Sequence, residues 1–155
     1  MSSYNTMYSP ISGEVKSLRQ SKDKAVANGL LGRGILIDPD DNKVYAPCDG
    51  EIVLIYETKH AIIIKSNAGI AILIHIGMNT GTLNGKGFKV FVHDGDKIKQ
   101  GDLLLEFDKD MIINEGLQMV VPFVFPNLNE NDFMAILTSG VTSANTPLIN
   151  INKYK

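Results

Sequence analysis

Apolar positions along this chain fall into strand-sized runs, punctuated by clusters of Gly, Asn, Asp and Ser. Residues 34–38, 43–46, 51–56, 88–92, 103–107, 119–125 and 147–151 are rich in β-branched and aromatic side chains, and their spacing predicts an all-β sandwich or barrel. Helical periodicity is scarce. Only 108–117 and 129–137 have room for a helical turn, and the second reads equally well as a strand ending at Leu137. The longest apolar stretch, 58–77, predicts a β-hairpin whose arms, 60–65 and 70–76, flank the turn formers Ser66-Asn67-Ala68-Gly69. A loop centred between Asn67 and Ala68 sets Ile62 opposite Leu73 and His60 opposite His75, which makes two of the chain's three histidines direct cross-strand neighbours on one face.

A repeat refines this picture. Ser9-Pro10-Ile11-Ser12-Gly13-Glu14-Val15 returns thirty-seven residues later as Ala46-Pro47-Cys48-Asp49-Gly50-Glu51-Ile52, and predicts a duplicated hybrid motif. Each glycine is expected to take a positive φ in a turn that leads into a strand. A second turn pair, Gly95-Asp96-Lys97-Ile98 and Gly101-Asp102-Leu103-Leu104, fits hybrid sandwich folds. One domain over 1–155 is expected, with an ordered core of about 8–152 and loose ends at 1–8 and 152–155.

Composition narrows the partners. With 155 residues, 44% hydrophobic, 21% charged and a formal net charge of −2, the chain is an ordinary globule with no field for nucleic acid or an anionic membrane. The single Cys48 suits a reducing compartment, and no apolar run is long enough for a span or leader, so the cytoplasm is the expected location.

Few motifs carry chemistry. Gly81-Thr82-Leu83-Asn84-Gly85-Lys86-Gly87 has three residues where a phosphate-binding loop needs four, and lacks Ser or Thr after the lysine. Asp40-Asp41, Asp94-Gly95-Asp96 and Asp108-Lys109-Asp110 read as turn residues, and His93 beside Asp94 as solvent-facing. A zinc hydrolase needs a third protein ligand, and no His-x-His or His-x-x-x-Asp motif supplies one. A lipoyl-type carrier needs a lysine at its hairpin tip, and this tip has none. Nucleophilic imidazole chemistry remains, because a neutral ring can attack a phosphoryl group while a second donates to its oxygens. Thr58, two residues before His60, can fix that ring's tautomer. Ile62, Ile64, Ala71 and Leu73 would exclude water and offer a docking patch to a partner protein.

The motifs Ala46-Pro47-Cys48-Asp49-Gly50, Glu57-Thr58-Lys59-His60-Ala61, Ile74-His75-Ile76-Gly77, Leu83-Asn84-Gly85-Lys86-Gly87-Phe88 and 101–108 together resemble the glucose-class enzyme IIA domain of the bacterial phosphoenolpyruvate-dependent sugar phosphotransferase system. The resemblance implies a β-sandwich phosphocarrier without metal or other cofactor. It implies that His75 accepts a phosphoryl group at Nε2 from the phosphocarrier protein HPr and passes it to the IIB domain of a sugar permease, the chain's only link to a membrane. His60 would stabilise the phosphoryl group, Thr58 would orient His60, and Asp23 matches an acid near the site. Three positions depart from the family's pattern, and of these Asn79 stands where an acid is usual and Val26 where an aromatic is usual. Gly32-Arg33-Gly34 replaces a usual Gly-Asp-Gly. The changes at Asn79 and Arg33 bear on docking charge and motivate an alternative, a regulatory IIA-like module that binds cytosolic enzymes or transporters through the same patch.

Overall fold

The computed structural model describes residues 5–153. Among these residues the strands form three antiparallel sheets. The large sheet has eight strands, in the spatial order β13 (Gly140–Thr142), β2 (Gly13–Ser17), β3 (Arg33–Pro39), β11 (Val121–Phe125), β7 (Ala71–His75), β6 (Ala61–Ser66), β5 (Gly50–Ile55) and β9 (Lys97–Ile98). Two smaller sheets have three strands each: β1 (Asn5–Tyr8), β14 (Pro147–Asn152) and β12 (Phe133–Ile136) form one, and β4 (Lys43–Tyr45), β10 (Leu103–Phe107) and β8 (Phe88–Val90) form the other. Helices are short: α1 (Lys24–Ala27) and α2 (Lys109–Asn114).

Period-two alternation divides the large sheet into two faces. Ile35, Ile37, Ile62, Ile64, Ile72, Ile74, Phe123 and Phe125 point inward, and form one core with Met7, Ile149 and Ile151 of one small sheet and Val44, Leu105 and Phe107 of the other. The expected sandwich is therefore present, with no closed barrel. The opposite face carries Ala61, Leu73 and Val124, and beside them Val26, Leu36, Met78 and Val120. Part of that face is covered only by α1 and its flanking loops.

Main-chain bonding shows the duplication. Tyr8 N donates to Pro47 O at 2.8 Å, and Tyr45 N donates to Pro10 O at 2.8 Å, a reciprocal pair in which each partner lies thirty-seven residues from its counterpart. Strand pairing repeats the relation: β2 meets β13 with Gly13 opposite Thr142, and β5 meets β9 with Gly50 opposite Ile98. The role expected for the repeated glycines is corrected, however. Neither Gly13 nor Gly50 has a positive φ. A Cβ on Gly13 would lie 2.2 Å from Asp38 O, and one on Gly50 would lie 2.3 Å from Lys65 O, so both are glycine because the neighbouring strand's backbone leaves no space for a side chain.

One further expectation changes. Residues 5–8 and Asn152 are not loose, since β1 pairs with β14 from Asn5 opposite Ile151 onward; residues 1–4 and 154–155 lie outside the described residues. Of the two ambiguous segments, 108–117 contains α2, capped by Asp108, whose side chain accepts from Met111 N at 3.0 Å, and 129–137 contains β12.

The glycine clashes set a stability test. Gly50→Ala is expected to lose roughly 3 kcal/mol or more because two paired strands must separate. Gly95→Ala has nothing within 4 Å of the new Cβ and a φ of +87°, and is expected to lose only about 1 kcal/mol from left-handed strain. Urea unfolding of the two variants would refute the close-approach argument if their losses were equal.

Candidate functional site

The site is built on the β6–β7 hairpin, and its turn decides what faces outward. Ser66 N donates to Ile70 O at 2.9 Å, Gly69 N donates to Ser66 O at 2.9 Å, and the Ser66 hydroxyl accepts from Ile70 N at 3.0 Å. Asn67, Ala68 and Gly69 thus form a three-residue loop, closed by Gly69 at a φ of +87°. Pairing runs Lys65 with Ala71, Ile63 with Leu73 and Ala61 with His75. The expected register, His60 opposite His75, is displaced by one residue because the loop has three residues and no centre between Asn67 and Ala68. The displacement moves Ile62 and Ile64 to the inner face, where both are fully buried, so neither belongs to a docking patch. Ala71 and Leu73 share the outer face with His75, Ala71 half-buried and Leu73 only 5% exposed.

His60 reaches the same place by another route. It lies just before β6, in a turn where Lys59 N donates to Tyr56 O at 2.7 Å, Tyr56 N donates to Ala61 O at 3.0 Å and Lys59 has a φ of +64°. Its carbonyl accepts from Ile76 N at 2.7 Å, so the backbone continues the ladder while the turn aims the side chain outward. The rings of His60 and His75 meet edge to face, with centroids 4.8 Å apart and planes at 80°.

Hydrogen bonds differentiate the two rings. His75 Nδ1 lies 2.7 Å from Gly77 O. A carbonyl can only accept, so Nδ1 carries the proton and the lone pair sits on Nε2. Gly77 offers that carbonyl from a φ of +73°, held by its own N–H on Val120 O at 2.9 Å. His60 Nδ1 lies 2.6 Å from Thr58 Oγ1; when Nδ1 accepts from the hydroxyl, Nε2 bears a proton to donate.

Burial keeps both imidazoles neutral. His60 is driven down to about 4, first by desolvation and then by His75 beside it. His75 is also lowered by desolvation, opposed by its bond to Gly77 and by the charge of Asp23. Asp23 is the N-cap of α1, accepting from Ala25 N at 2.8 Å and Val26 N at 3.3 Å.

An open groove of about 420 Å³ is floored by the two histidines and bordered by Asp23, Val26, Leu31, Met78, Asn79 and Gly81. Asn79 is exposed on its rim in the left-handed conformation, φ +61°, which Asn and Asp tolerate best. Val26 lines the groove yet is only 2% exposed and packs with Leu36, Met78 and Val120; it anchors α1 and offers little to a partner. Arg33 is bonded to loop carbonyls, donating to Asn129 O at 2.6 Å and Asp132 O at 2.7 Å, whereas Asn79, the other residue behind the regulatory alternative, stands on the groove rim. Gly77, Tyr56, Met78 and Gly81 were not anticipated. Gly77 alone left a signal, a glycine two residues after His75. His93 is exposed, as expected, 3.6 Å from Asp96. Among the described residues no three His, Cys, Asp or Glu side chains converge as a metal-ligand set, and no helix is long and apolar enough to cross a membrane.

A duplicated β-sandwich holds, at the floor of an open groove, one imidazole whose Nε2 lone pair is free beside a second imidazole, an arrangement chemically suited to group transfer at histidine. Comparison with known proteins makes the class specific. Residues 5–131 match the family described as phosphoenolpyruvate-dependent sugar phosphotransferase system, EIIA 1, and the chain belongs to that family of phosphotransferase components. It is 41% identical over 143 residues to the PTS system beta-glucoside-specific EIIBCA component of Dickeya chrysanthemi, covering 92% of this chain and 23% of that one. It is 44% identical over 131 residues to the PTS system glucosamine-specific EIICBA component of Bacillus subtilis (strain 168), covering 84% and 21%. The solved glucose permease IIA from Mycoplasma capricolum matches with a TM-score of 0.90 at 28% identity over 96% of both chains. The chain thus spans less than a quarter of the length of these curated relatives.

The depressed histidines link stability to pH. Their folded pKa values lie below the unfolded value of about 6.5, so the unfolded chain takes up protons first as pH falls. Stability from the neutral pair is complete above about 6.5 and is lost progressively down to about 4, the folded value of His60. Urea unfolding of the native protein and His60→Gln at pH 7 and pH 4.5 should show the native protein's margin shrinking at the lower pH; a constant margin would refute the shift. Asp23→Asn, which retains the cap, should lower the His75 midpoint further in an NMR titration, because the charge that favours the imidazolium is gone.

Proposed function

We propose that His75 is the phosphoryl acceptor of a carrier that takes the group from phospho-HPr and delivers it to the IIB domain of a sugar permease, at the cytoplasmic side of the membrane. The observation that supports it most is the bond from His75 Nδ1 to Gly77 O, which leaves the Nε2 lone pair for attack. In the first step His75 Nε2 forms a bond to phosphorus as the donor's nitrogen–phosphorus bond breaks and the donor ring keeps the electron pair. The product ring bears phosphorus on Nε2 and hydrogen on Nδ1, hence positive charge, and the Gly77 carbonyl and the Asp23 carboxylate oppose that charge. His60 donates from Nε2 to a phosphoryl oxygen, with Thr58 holding the opposite nitrogen. Onward transfer reverses the chemistry, with a IIB side chain as the attacking group. Positioning and charge stabilisation carry such a transfer.

The open groove suits this role. A macromolecular donor and acceptor must visit in turn, so the histidines lie near the surface, 8% exposed for His60 and half-buried for His75.

The test is reconstitution with labelled phosphoenolpyruvate, enzyme I and HPr. The native protein should acquire acid-labile, base-stable label and His75→Gln none. His60→Gln should accept label yet lose roughly a hundredfold in onward transfer to a IIB domain. Label retained in His75→Gln, or onward transfer undiminished in His60→Gln, would overturn the corresponding role.

A further inference from the structure

For His60 to donate along one direction its ring must keep one plane and one tautomer. The Thr58 hydroxyl holds a single nitrogen at 2.6 Å, and one hydrogen bond at a ring edge leaves the ring free to swing about it. Gly81 approaches from one side, since a Cβ there would lie 3.1 Å from His60 Cε1. Another contact comes from Tyr56, whose ring centroid lies 5.3 Å from that of His60 with the planes at 83°. Edge-to-face geometry of this kind is directional, worth about 0.5–1.5 kcal/mol beyond area burial.

Tyr56 is itself held. Its N–H donates to Ala61 O and its carbonyl accepts from Lys59 N, so it closes the turn that carries His60, and its ring packs against Ala61, Leu73 and Val124. It does not line the groove over the histidines. Tyr56 also lines a separate cavity of about 500 Å³ with Ile55, Glu57, Val90 and Val92.

We propose that Tyr56 is a positioning residue for His60, whose ring holds the plane of that imidazole, keeps its Nδ1 on the Thr58 hydroxyl and so governs release of the phosphoryl group more than its capture. The inference rests on the carrier reading for its kinetic consequence and on geometry alone for its effect on His60. Misplacement of a donating ring by a fraction of its width costs roughly ten- to a hundredfold in rate.

The test compares Tyr56→Phe, which keeps the ring, with Tyr56→Leu, which keeps apolar packing without it. Nitrogen NMR of the free protein reads the His60 tautomer, and the reconstituted system reads labelling of His75 and onward transfer separately. Tyr56→Phe should match the native protein throughout. Tyr56→Leu should label within about twofold of native, lose tenfold or more in onward transfer, and show a mixture of His60 tautomers. Native onward transfer and a single tautomer in Tyr56→Leu would overturn the proposal. So would equal slowing of both half-reactions, or a Tyr56→Phe protein as impaired as Tyr56→Leu. If the native protein accepted no label, the carrier reading would fall, and the tautomer comparison would still decide whether Tyr56 positions His60.

Discussion

A strand's side chains alternate between faces, so the pairing of Ser66 with Ile70 determines the face of every residue in the hairpin. Gly69 in the left-handed region lets the chain close after three residues, and from that closure Ile62, Ile64, Ile72 and Ile74 enter the core while Leu73 and His75 point away from it. A two- or four-residue loop would turn one arm over relative to the other, setting Ile62 and Ile64 on the same face as Leu73 and His75. The chemistry depends on a second pairing, that of β7 with β11, which continues into Gly77 N on Val120 O and so holds the carbonyl that accepts from His75 Nδ1. The turn thus relates the core isoleucines to the outward imidazole, and the β7–β11 pairing fixes that imidazole's tautomer.

Electrostatics then acts on two rings brought within 4.8 Å of each other. Desolvation favours the neutral form of each, and a charge on one would further disfavour a charge on its neighbour. His60 feels both and lies near 4; His75 is partly protected by Gly77 and Asp23. The pair is therefore unequal in the sense a carrier needs. In the proposed carrier role, one ring would be the neutral nucleophile, with Gly77 and Asp23 placed to support a positive charge on it, and the other would be a neutral hydrogen-bond donor.

The sheets were legible because β-branched runs and turn residues report local geometry directly, and the repeat at Gly13 and Gly50 reported the duplication. The physical reason for those glycines was not legible, since close approach of Asp38 O and Lys65 O depends on strands distant in sequence. Proximity of His60 and His75 was anticipated through a register one residue away from the observed one; the side chains meet because Lys59 adopts a left-handed turn, a bulky residue in a conformation that sequence does not announce. The same displacement separates Ile62 and Ile64 from the surface. α1 was missed because four residues carry no periodicity, and with it went the burial of Val26. Arg33 looked like surface charge until the carbonyls of Asn129 and Asp132, a hundred residues on, accounted for its guanidinium.

Duplication also explains why the site arises once. The two halves match in their strands, yet the connections within corresponding hairpins differ: β5 and β6 are joined by residues 56–60, whereas β2 and β3 are separated by residues 18–32, including α1. The tight connection delivers Tyr56, Thr58 and His60 to the outer face. The long one folds over that same face and delivers Asp23, Val26 and Leu31 to the groove above the histidines. A symmetric pair of tight turns would leave the imidazoles on a bare sheet, with no carboxylate to support a positive ring and nothing apolar to withdraw them from water. A symmetric pair of long ones would have no His60. Asymmetry in two loops on a repeated framework is thus what turns a sheet face into a site.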